Sequence, residues 1–169
     1  MAMYEKLEEA FEDFKRMKEL TNREQFLKTF IWCLPGTDGR KNGKPSKKQN
    51  ASLKYKSEGV IEGEKKYSKN GIPSKQIVDE HVVPRKLIKE KLLSLLDSNE
   101  YTDYEKFKEI ALLAKNCLIT KEEDNILNSL GLKQKMPEGQ ENDIWARYKK
   151  ANINVYEKQE DGSFTKLNF

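Results

Sequence analysis

Apolar residues at Tyr4, Leu7, Phe11, Phe14 and Met17 recur every three or four positions, which predicts a helix over 4–19 with one buried stripe. "TNRE" at 21–24 reads as a capping box, Thr21 with Glu24, and opens a second helix through Phe26, Leu27, Phe30, Ile31 and Leu34 that Pro35 and Gly36 end. The next stretch, "PGTDGRKNGKPSKKQN", has no apolar period and is expected to be a mobile loop. Between 51 and 83, "LKYKSEGVIEGEKKY" and "KQIVDEHVV" read as short strands around the turn-like "SKNGIPS", the second strand lying near Ile77–Val83.

Pro84 suits the start of a helix, and Leu87, Ile88, Leu92, Leu95 and Leu96 supply its stripe. Tyr104, Phe107, Ile110, Ala111 and Ala114 outline another helix. "NCLIT" is a strand, and "TKEE" at 120–123 is a second capping box, opening a helix through Ile126, Leu127 and Leu130 that Gly131 ends. "DIWARYKKANI" predicts one more short helix, and the tail predicts two strands around "QEDG". The pattern as a whole is a helix-rich α+β single domain with a small sheet.

Charge adds a polyanionic partner to this picture. The chain of 169 residues carries a net +4, yet Arg40, Lys41, Lys44, Lys47, Lys48, Lys54 and Lys56 face only Asp38 between positions 35 and 56. A basic segment on a nearly neutral body points to nucleic acid, or else to a solvated loop that aids solubility. No run approaches the roughly 20 apolar residues of a membrane span. The acidic amphipathic start resembles no secretory or transit peptide, so the expected location is the cytoplasm. Two cysteines and one histidine cannot complete a four-ligand zinc site, so any metal would be a hard ion held by oxygen.

The single histidine closes "VDEHVVP". Taken alone, an imidazole beside two carboxylates is either a structural group or a general base. The order of elements favours chemistry: a strand ending Glu80-His81, a helical excursion, a strand opened by Asn116, then a capped helix carrying Asn125. A carboxylate and an amide oxygen can hold a divalent cation while the imidazole takes a proton from water.

"DEHVVP" followed by "NCLITKEEDN" resembles the HNH, or ββα-metal, nuclease motif, with Asn116 and Asn125 at that family's spacing. The flavour is similar to the zinc-less HNH domain of CRISPR effector nucleases. The resemblance implies that Glu80 and Asn125 ligate magnesium, with manganese as substitute, that His81 is the general base, and that Asn116 braces the hairpin and orients His81. It also implies hydrolysis of phosphodiester bonds in DNA. Glu80 stands where most members carry Asp, the neighbouring Asp124 competes with Asn125 as ligand, and the 34 residues between His81 and Asn116 make a helical insertion.

The expected layout is an N-terminal helical region (1–34), a basic loop (35–56), an HNH-like core (57–135) with an insertion (85–115), and a C-terminal helix and hairpin (136–169). Phosphate contacts are expected from Arg40, Lys41, Lys44, Lys47 and Lys48, from Arg85 beside the histidine motif, and from Arg147 in "WARYKK". For "WARYKK" the alternative is a surface helix with Trp145 docked in the core. Cleavage of both strands with one site per chain would favour a homodimer. The rivals are a non-catalytic nucleic-acid-binding protein, using the Lys-rich loop and "WARYKK", and a protein-interaction module.

Overall fold

Phe14 and Phe107 lie 93 positions apart in sequence, yet their rings sit 4.9 Å apart between centroids. That packing explains why the helices before the basic loop and those between the two strands form one body. The structure is a computed structural model that describes residues 6–34, 54–67 and 72–169. The chain gathers into two compact units, one of residues 1–40 with 83–115 and one of residues 41–82 with 116–169. The insertion therefore joins the N-terminal helices, where the sequence pattern implies separate segments.

The first unit is helical: α1 (Leu7–Arg16), α2 (Arg23–Ile31), α4 (Arg85–Asp97) and α5 (Tyr104–Ala111). Phe11, Phe14, Phe30 and Phe107 are buried and mutually packed, with Leu27, Ile31, Ile88, Leu92 and Leu96 also withdrawn from solvent. The expected capping box at Thr21 does not form. The helix starts at Arg23 behind Asn22, which makes no side-chain cap, so Thr21 is one residue too early to reach an orphan N–H.

The second unit carries the sheet. Its strands are β1 (Tyr55–Ser57), β2 (Ile77–His81), β3 (Asn116–Thr120), β4 (Val155–Lys158) and β5 (Phe164–Lys166). They lie in the order β2-β3-β1-β4-β5. β3 runs parallel to β1, and every other neighbouring pair is antiparallel. The helices are α3 (Glu58–Lys66), α6 (Lys121–Ser129) and α7 (Ala146–Lys150). The molecule is thus mixed α+β with a five-stranded sheet.

"SEGVIEGEKK" is a helix rather than a strand, because Ser57 accepts from the Val60 N–H and starts it. The "TKEE" box forms as expected: Thr120 accepts from the Glu123 N–H, and Glu123 accepts from the Thr120 N–H at 2.7 Å. At the far end of α6, Gly131 takes φ +68°, and Leu132 N–H reaches back to the Leu127 carbonyl, closing a Schellman turn. Among the described residues no helix is long and apolar enough to cross a membrane.

Candidate active site

Strand alternation sorts the groups at the end of β2. Val78 packs with Tyr55, Cys117, Ile119, Leu127 and Tyr148, so Glu80, two residues on, lies on the face that α6 and α7 cover. Ile77 packs instead with Leu118 and Val60 of α3, which puts Asp79 and His81 on the opposite face. Asp79 turns away from Glu80, as regular pleating requires.

Glu80 meets Arg147. The guanidinium Nη2 donates to Glu80 Oε1 at 2.6 Å, and Nη1 donates to the carbonyls of His81 at 2.8 Å and Val82 at 3.3 Å. A longer bond, 3.5 Å, runs from Nη2 to the Lys133 carbonyl. Arg147 has no exposed surface, so it is not a phosphate contact, contrary to expectation. A planar fork of donors suits this work: it ties α7 to the last turn of chain at the end of β2.

The second carboxylate is Asp124, whose side chain is 3% exposed and which pairs with Lys121 and, at 3.8 Å, with Lys133. Asp124 is close enough for its charge to act on Glu80. Burial pushes the Glu80 carboxyl up; Arg147's charge and hydrogen bond oppose that, Asp124 reinforces it, and the net direction is upward. The expected ligand Asn125 lies on the exposed side of α6. The reason is helical phase: Asp124 stands three residues before the buried Leu127 and shares its face, whereas Asn125 is rotated about 100° away.

His81 and Asn116 are cross-strand partners. His81 is 7% exposed, and both ring nitrogens are enclosed. Asn116 is buried, and neither atom of its amide hydrogen-bonds to a described group, so its link to His81 is the strand pairing itself. Arg85 is exposed at the start of α4, with its guanidinium 4.1 Å from the centre of the Trp32 ring. Arg40, Lys41, Lys44, Lys47 and Lys48 lie outside the described residues.

Glu80, paired with Arg147, and Asp124, paired with Lys121 and Lys133, are linked through Lys133, whose carbonyl accepts from Arg147 and whose ammonium meets Asp124. Sequence pattern marks Asp124 only as a competitor of Asn125; its spacing from Thr120 and Leu127 is the signal that points inward. No group of three or more His, Cys, Asp or Glu side chains among the described residues is arranged to hold a metal. Two carboxylates remain a chemically suitable donor set for a hard ion that takes its other ligands from water and phosphate. No family model matches this chain, and neither a curated protein nor a solved structure is significantly similar to it.

Proposed function

We propose that the protein is a metal-dependent endonuclease of the HNH type that hydrolyses phosphodiester bonds in DNA. The observation that carries this reading is the β2–β3–α6 arrangement, an antiparallel pair followed directly by a capped helix, with Glu80 on the face of β2 that α6 covers and Asp124 on the buried face of α6. Glu80 and Asp124 would hold the magnesium ion, which when bound offsets charge on the phosphate and on the leaving oxygen. Arg147 fixes one Glu80 oxygen and leaves the other for the ion. Lys121 and Lys133 balance Asp124 until then.

His81 acts as the general base in this scheme, taking a proton from the attacking water. Pleating turns His81 to the other face of β2 from Glu80, so the two would meet one phosphate only around the end of the strand. The imidazole has to become accessible first, because its nitrogens are enclosed.

That enclosure, together with the neutralisation of Glu80 by Arg147, favours the second reading, a non-catalytic nucleic-acid-binding protein. Single-turnover cleavage of a labelled duplex, with magnesium, manganese or EDTA, separates the two. The nuclease reading expects product with either metal and none with EDTA. Tight binding without product under every condition supports the second.

A further inference from the structure

We infer that Lys121 and Lys133 bind the substrate's phosphate, and that Asp124 masks both of them until a divalent cation takes their place. This inference rests on the metal site of the proposed function and names the groups that meet the nucleic acid there.

Each ammonium holds a different oxygen of one carboxylate. Lys121 bonds Asp124 Oδ2, and Lys133 lies 3.8 Å from Oδ1. A divalent cation that takes Asp124 as a ligand therefore has to displace an ammonium whichever oxygen it uses. The Asp124 side chain is 3% exposed, while those of Lys121 and Lys133 are 48% and 53% exposed. The carboxylate is fixed in the fold, so the lysines are the partners that can leave. A lysine suits that exchange, being a point charge on a flexible stem. Lys133 is tethered by its main chain, whose carbonyl accepts from Arg147 Nη2 at 3.5 Å, so its ammonium swings from a fixed base. Lys121 opens α6 directly behind the N-cap Thr120, where the helix dipole disfavours a cation. Once Asp124 is given up to a metal, both ammoniums lose their anion and face an ion of twice their charge. The phosphate bound to that ion supplies the anion they have lost.

Two measurements on the full chain test this with single Lys121→Gln and Lys133→Gln variants, each of which keeps the other ammonium on Asp124. Circular dichroism and melting temperature verify the fold, and either variant alone decides the test if the other does not fold. The first is manganese binding without nucleic acid, read from the paramagnetic resonance signal of the free ion. Each Gln variant should bind manganese about threefold more tightly than wild type, because a competing cation is gone. Asp124→Asn should bind it at least about tenfold more weakly. The second is binding of a labelled duplex in a His81→Ala background, which admits magnesium without cleavage. Each Gln variant should bind the duplex about threefold more weakly than its parent with magnesium, and within about twofold of it with EDTA, where Asp124 still holds the ammonium. Damage to the fold would weaken metal and duplex together, whereas exchange moves them in opposite directions. Manganese affinity unchanged or lowered in folded Gln variants would overturn the inference. Equal losses of duplex affinity with magnesium and with EDTA would also overturn it, since they mark an ordinary basic surface. If Asp124→Asn binds manganese as wild type does, the metal site of the proposed function falls and this inference with it. The expected manganese and duplex results without any cleavage by wild type would count against the nuclease reading alone and leave the exchange standing.

Discussion

Arg147 and Glu80 are joined by a 2.6 Å charge-assisted hydrogen bond in which the guanidinium is wholly buried and the carboxylate is 15% exposed. The same guanidinium holds the His81 and Val82 carbonyls. Arg147→Ala should therefore strip a buried carboxylate of its counter-charge and leave two carbonyls short of a donor. Urea denaturation should register a loss of about 3–5 kcal/mol. Arg147→Met combined with Glu80→Gln should recover part of it, because no unpaired charge remains. A loss below about 1 kcal/mol for Arg147→Ala would mean that the pair does not organise the strand end.

The helical phase of α6 makes a contrast between neighbours. Asp124→Asn should raise the magnesium concentration for half-maximal cleavage at least about tenfold. Asn125→Ala should leave it within about twofold, since Asn125 faces solvent. A magnesium titration of both variants reads the difference, and the reverse ranking would restore the ligand expected from sequence.

Glu58 accepts hydrogen bonds from Asn154 at 2.8 Å and Tyr156 at 3.0 Å, which hold its carboxyl below the usual range. A depressed carboxyl stabilises the fold above its unfolded pKa and loses that contribution as pH falls through the folded value. Glu58→Gln should therefore melt lower than wild type at neutral pH, and the gap should shrink toward zero in acid. A gap independent of pH would contradict this.

Burial drives both thiols up, Cys117 well above its ordinary value and Cys33 above it. Neither should react with an aromatic disulfide reagent at pH 8 until denaturant is added. Rapid labelling of the native chain, read by mass, would place a thiolate where the fold puts an enclosed thiol.

Thr120 closes the box that orients the start of α6, and the Ser57 hydroxyl also donates to Glu123, at 2.5 Å. Thr120→Ala should cost about 1 kcal/mol by thermal denaturation. Thr21→Ala should cost nothing measurable, since Thr21 caps no helix.

What is legible in the sequence follows from how local each signal is. "NCLIT" and "TKEE" become β3 and the capped start of α6 because an apolar run and a box of four residues contain their own instructions. The helix α3 is hidden because Val60 and Ile61 read as strand formers, while Ser57, which decides the matter, looks like any turn serine. Arg147 misleads for a tertiary reason. "WARYKK" has the chemistry of a phosphate clamp, but the arginine's partners sit about 66 positions away, and nothing near it in sequence announces burial. Asn125 is suggested by its spacing from Asn116, whereas the face of α6 is set by distance from Thr120 and Leu127.

The proposed hydrolysis at the end of β2 depends on His81 moving the proton. Nicking of supercoiled plasmid by wild type and His81→Ala, at equal concentration with magnesium, tests it most directly. Wild type should give open-circular product, none with EDTA, and His81→Ala, with its fold intact, a rate at least about 100-fold lower. Equal rates from the two proteins, or no nicking by wild type with either magnesium or manganese, would contradict it.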